Sequence, residues 1–147
     1  MNFKDYLINT IRIADEEREI LDSLSDKPTL SPIELRASKH SLQVLIENMI
    51  GKSKRILKEY NCPIVPQRSR DSIIFLHEVG VISDELYYSL SSAIGFRNSM
   101  IHDYMKFNND ILYKILKEKK YIDIYNFLVK EPNYNQVVRT RIENYIF

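Results

Sequence analysis

The segment from Leu30 to Pro66 limits what this chain can fold into more than any other. Ser31-Pro32-Ile33-Glu34 joins an N-cap serine, a proline at the first helical position and a glutamate at the third. Leu30 and Leu35 flank it at the spacing of a hydrophobic staple. Leu35, Leu42, Leu45, Met49, Ile56 and Tyr60 then recur at roughly seven-residue periodicity. Asn61-Cys62-Pro63-Ile64-Val65-Pro66 closes the run, since prolines cannot continue a helix. A helix this long with one apolar seam must bury that seam against other helices.

The rest of the chain supplies such helices. Phe3 to about Ser25 reads as an amphipathic helix with Leu7, Ile11, Ala14, Arg18 and Leu21 along one face. A short helix from about Arg70 to Val79 ends at Gly80, which suits a C-cap. Ser83 caps the next helix, and Asn108 or Asn109 starts another, with Ile111, Ile115, Ile122 and Tyr125 inward, that ends near Pro132. Tyr134 to Phe147 can add a short amphipathic tail. Only three glycines in 147 residues leave few turns, and no useful β-alternation is present. The expected architecture is all-α, an up-and-down bundle of four to six helices.

Several function classes drop out. Hydrophobic content of 44% and charged content of 28% are ordinary for a globular domain, so disorder is not expected. No stretch approaches the ~18 apolar residues of a membrane span, and the N-terminus lacks the apolar core of a signal peptide. With a single cysteine, Cys62, no intrachain disulfide can form, which suits a reducing cytoplasm. His40, His77 and His102 lack metal-ligand spacing, so neither a metal nor a cofactor is expected. Between Arg36 and Arg70 eight basic residues face only Glu47 and Glu59, while the first 35 residues lean acidic. The basic second helix suits a polyanion and equally a solvated face.

Arg97-Asn98-Ser99-Met100-Ile101-His102-Asp103-Tyr104 carries the chemistry. Leu86, Leu90, Ala93 and Arg97 form one helical stripe, so the guanidinium falls where a core or interface residue belongs. It stays ionised, so something anionic should face it, a carboxylate or a phosphate. Asn98 lies one turn before His102, and Arg97 two turns before Tyr104. Arg97 and His102, five residues apart, point about 140° from each other on a regular helix. They can act together only if the helix loosens near His102 or a second copy of the chain supplies the missing group.

R-N-x3-H-x-Y at the end of the fourth helix resembles the signature of HEPN-domain proteins, and is most similar to the HepT-like toxins paired with minimal nucleotidyltransferases. The likeness extends upstream through Val65-Pro66-Gln67-Arg68-Ser69-Arg70-Asp71-Ser72 and downstream to about Pro132. It implies a helical domain over residues 1–132, followed by a tail over 133–147. It also implies a cytoplasmic toxin: a metal-independent endoribonuclease whose cleft lies between the protomers of a homodimer. Arg97 and His102 would be the catalytic pair, with Asn98 and Glu47 in support. RNA would be the substrate, and the partner nucleotidyltransferase the antitoxin, transferring AMP to Tyr104.

Residue chemistry fits that implication. Metal-free RNA cleavage uses the 2′-hydroxyl as an internal nucleophile, so protons must move and a crowded anionic phosphorus must be stabilised. Imidazole, with an ordinary pKa of about 6.5, suits proton transfer at His102. The planar fork of Arg97 suits a phosphate. Asn98 can orient His102, hold a substrate oxygen or bond a backbone carbonyl. An adduct on Tyr104 would add bulk and charge where substrate phosphate enters. One departure concerns Glu47: HepT-like chains often carry a second acid four positions on, and Gly51 stands there. Glu47 can therefore be either the partner of Arg97 or a member of the site. A reading of another class also stands, that of a non-catalytic helical partner which holds substrate or nucleotide for a nucleotidyltransferase.

Overall fold

The computed structural model describes residues 1–102 and 107–146. Among them are seven helices: α1 (Phe3–Ser25), α2 (Pro32–Glu59), α3 (Ser69–Glu78), α4 (Asp84–His102), α5 (Asn109–Lys117), α6 (Tyr121–Val129) and α7 (Gln136–Glu143). No strand occurs among the described residues.

Local chemistry sets the ends of these helices. The Ser31 hydroxyl accepts from the Glu34 amide, and the Glu34 carboxylate accepts from the Ser31 amide, a complete capping box. Gly80 has φ of +89°, and the Val81 amide reaches back 2.8 Å to the Leu76 carbonyl. That left-handed closure of α3 favours a residue without Cβ. Asn2, Ser83, Asn108 and Asn135 each accept a backbone amide at a helix start.

The helix count corrects the expected four to six. Residues 109 to 131, read as one helix, form two. Lys119 takes φ of +50°, the Lys119 amide bonds to Leu116 and the Lys120 amide to Ile115. The same closure as at Gly80 is thus made by a lysine, at a cost in backbone strain and with no glycine to mark it. The bend turns Tyr121 inward, where it is fully buried with its hydroxyl donating to Asp22 of α1.

The long helix α2 is the spine of the molecule. It packs against α1, α3, α4 and α6, and α1 also packs against α5 and α6. Leu42, Leu45, Met49, Ile56 and Leu57 of α2 meet Ala14 and Leu21 of α1, Leu90 of α4 and Leu128 of α6 in one core. Each large apolar side chain buried there contributes roughly 1.5–3 kcal/mol. Ile142 of α7 is fully buried, and the Tyr145 ring lies 4.4 Å from Phe75, so the stretch from α7 to Tyr145 lies on α3. This framework fixes α4 along most of its length and leaves its last turn at the edge of the bundle.

Candidate functional site

The residues singled out in the sequence converge only partly on the C-terminal half of α4. Leu90 and Ile94 anchor that helix in the core, and Leu86, Ala93 and Arg97 are half-buried beside them. Arg97 Nη1 donates to Asn98 Oδ1 at 3.0 Å. Asn98 therefore serves Arg97 rather than a backbone carbonyl. Among the described residues Arg97 Nε is buried without a hydrogen-bond partner, although Glu47 Oε1 of α2 stands 3.8 Å away. Glu47 is about half exposed and is held toward its own helix by Gln43, whose Nε2 donates to it at 3.3 Å. Glu47 thus supplies a loosely placed countercharge, and part of the guanidinium's donor capacity stays unused.

His102 ends α4 and is exposed, as is its neighbour Ile101. Within the chain Arg97 faces the bundle and His102 faces solvent, and α4 remains helical between them. Tyr104 lies outside the described residues. Among the described residues no three His, Cys, Asp or Glu side chains form a group able to hold a metal. No helix among them is long and apolar enough to cross a membrane.

The other histidines have structural surroundings. His77 Nε2 lies 2.6 Å from Asp84 Oδ1, and the His77 ring stacks on Tyr87 at 4.4 Å, which ties α3 to the start of α4. His40 is an exposed residue of α2. Tyr88 is 69% exposed on the rim.

Periodicity did not single out Arg70. Its Nη2 lies 3.4 Å from the place a Cβ on Gly95 would occupy, so the guanidinium rests across bare α4 backbone. Beyond its place in the basic stretch and in the segment of resemblance, the signal in the sequence was a glycine inside a helix, where it costs about 1 kcal/mol relative to alanine.

Comparisons with known proteins bear on the family and the fold. Residues 10–131 match the family model described as ribonuclease HepT-like. The mRNA nuclease HepT of Shewanella oneidensis is 32% identical over 65 residues, a stretch covering 41% of this chain and 49% of that relative. The chain thus spans about half the length of that curated protein. Two solved structures share the fold, each with a TM-score of 0.75. One is a toxin–antitoxin structure with AMP-PNP, 23% identical, covering 94% of this chain and 99% of that one. The other is a tri-AMPylated HEPN toxin of Shewanella oneidensis in complex with MNT antitoxin, 24% identical, covering 87% and 96%. With most of its length inside the matched region, this chain belongs to the HepT-like ribonuclease family.

Proposed function

We propose that this protein is the toxin of a toxin–antitoxin pair, an endoribonuclease that cleaves RNA without metal at a site shared by two protomers. The observation that carries the reading is the half-buried Arg97, whose Nε has no hydrogen bond among the described residues and whose nearest acid among them, Glu47, stands 3.8 Å off. A buried guanidinium with spare donors is costly unless an anion arrives, and a phosphodiester supplies one.

In this mechanism the 2′-hydroxyl oxygen attacks phosphorus and the bond to the 5′-oxygen breaks, leaving a cyclic phosphate and a free 5′-hydroxyl. His102 moves the protons, and Arg97 holds the equatorial oxygens as their charge grows. Asn98 positions Arg97 through its 3.0 Å bond. Glu47 limits how firmly the guanidinium holds an anion, which favours product release. Because Arg97 and His102 of one chain face different ways, a two-fold dimer would bring Arg97 of one protomer to His102 of its partner. The domain spans residues 1–132, with 133–147 as an appended tail, and the protein works in the cytoplasm.

Control would come from a partner nucleotidyltransferase that adds AMP to the Tyr104 hydroxyl. The phosphate charge would occupy Arg97 and exclude RNA. The relatives named above are described with an MNT antitoxin, with AMP-PNP and with AMPylation, which supports this reading.

Expression of the chain alone, with and without the partner, tests the proposal. Expected are growth arrest and RNA cleavage in EDTA for the lone chain, and rescue by the partner with AMP-sized mass additions. Tyr104→Phe should remain toxic and gain no mass. A chain that neither arrests growth nor cleaves RNA would be a non-catalytic partner instead.

A further inference from the structure

Arg70 sits in the first turn of α3, on a helix held from both ends. Ile73 and Leu76 are fully buried beneath it, and His77 ties the far end to Asp84 and Tyr87. Just before it, Lys54 Nζ of α2 donates to the Gln67 carbonyl at 2.7 Å, fixing the approach of the chain to α3. Arg70 itself is exposed and makes no hydrogen bond or ion pair among the described residues. Its guanidinium lies in van der Waals reach of Gly95, the one place on α4 where no side chain would stand in its way. Positions 95 and 102 are seven residues apart and so nearly eclipsed, and Asn98 shares their side of the helix. The guanidinium therefore overlies the same strip of α4 that ends in His102, about 10 Å back along the axis.

We propose that Arg70 is a second phosphate-binding residue of this ribonuclease, which grips the RNA backbone a nucleotide or two from the bond held at Arg97 and His102. The inference rests on the ribonuclease reading above and adds the path of the strand, along the α3–α4 side of the molecule. A planar fork with no partner among the described residues suits a phosphate oxygen pair. Gly95 lets the strand and the guanidinium approach the α4 backbone closely. Because the contact is to phosphate, it adds affinity and register without base preference.

The test is RNA affinity against salt for a labelled single-stranded oligonucleotide, in the His102→Ala background so that the strand survives. Arg70→Gln should weaken binding about tenfold, the worth of one charge-assisted hydrogen bond. It should also lower the slope of log affinity against log salt by about 0.7, the loss of one phosphate contact on a single strand. Arg70→Lys should restore the slope, because the charge returns. Arg12→Gln removes an equal charge from α1, where Arg12 pairs with Glu16, and should leave affinity unchanged. Arg70→Gln with the affinity and slope of its parent would overturn the proposal, as would an equal loss in Arg12→Gln. Absence of any RNA binding or cleavage by the unaltered chain would overturn the ribonuclease reading itself, and that outcome is visible before any Arg70 variant is made.

Discussion

Two cations sit on inward-facing positions of this bundle, and they are treated in opposite ways. Lys52 of α2 is 1% exposed, and its ammonium donates to the carbonyls of Phe127, Leu128 and Lys130 at 2.7, 3.0 and 2.7 Å. Those carbonyls lie at the C-terminal end of α6, where helical partners run out, so one side chain closes three orphan acceptors. Among the described residues Arg97 of α4 has one side-chain bond, to its own neighbour, and a carboxylate beyond hydrogen-bond length. Lys52 has no donor left for a ligand, whereas Arg97 has. A buried charge that the chain satisfies itself belongs to the fold, and one it leaves short of partners points to something arriving from outside.

Catalysis should separate the two regions most sharply. His102→Ala is expected to lower RNA cleavage about 10²–10⁴-fold, the usual worth of a positioned acid–base group. Arg97→Ala should also lose cleavage, and both variants should keep the helical circular-dichroism spectrum. Full activity in either variant would reduce Arg97 and His102 to packing and surface residues.

Stability should invert that order. Lys52→Ala leaves three carbonyls at the end of α6 without their donor, two of them buried, and opens a cavity, so urea unfolding should show a loss of roughly 3–5 kcal/mol. Arg97→Ala, with its weak ion pair, should cost about 1 kcal/mol or less. Similar losses for both would erase the contrast between them.

Alkaline pH offers a finer probe. The carbonyls favour the charged form of Lys52, but removal from water outweighs them, with a smaller push from Lys130, and lowers its pKa from 10.5 to about 8. Between those values the unfolded chain binds more protons, so stability should rise with pH above about 8. Tyr121 and Tyr134 act in the opposite sense, since burial raises both above the ordinary 10.0. The unfolded chain then loses phenol protons first, and stability should fall once pH passes that value. Thermal melts across this range should therefore show a maximum, and Lys52→Met should remove the rising limb. A flat profile in the unaltered protein would show that the three carbonyls offset the desolvation of Lys52.

Glu47→Gln should give the smallest effect. Neutralising a half-exposed acid 3.8 Å from Arg97 should change stability by less than about 1 kcal/mol, while RNA binding tightens. Weaker binding would place Glu47 among the groups that orient the substrate.

Much of the fold was legible because local and long-range signals agreed. Ser31 and Glu34 announced α2, the α2 seam required a bundle, and Gly80 and Ser83 marked the α3–α4 turn. The break between α5 and α6 was not legible, because Lys119 adopts a left-handed conformation that its residue type disfavours. Nor was the role of Lys52. It reads as one more member of a basic stretch, and only the arrival of α6 some 75 residues later turns it into a cap. At the site, the position of Arg97 on the apolar stripe and its divergence from His102 followed from helical spacing. Its pairing with Asn98 and the placement of Arg70 over Gly95 depend on side-chain packing and the approach of α3, which no periodicity encodes.

The proposed shared site is tested most directly by mixing two inactive chains. In a two-fold dimer, an Arg97→Ala protomer keeps its His102 and a His102→Ala protomer keeps its Arg97. Their heterodimer therefore contains one cleft with both groups intact and one with neither. Cleavage should be absent from each variant alone and should return when they are unfolded together and refolded, in proportion to the heterodimer found by native mass spectrometry. Heterodimers that form and stay inactive, or an unaltered protein that cleaves RNA as a monomer, would contradict the account.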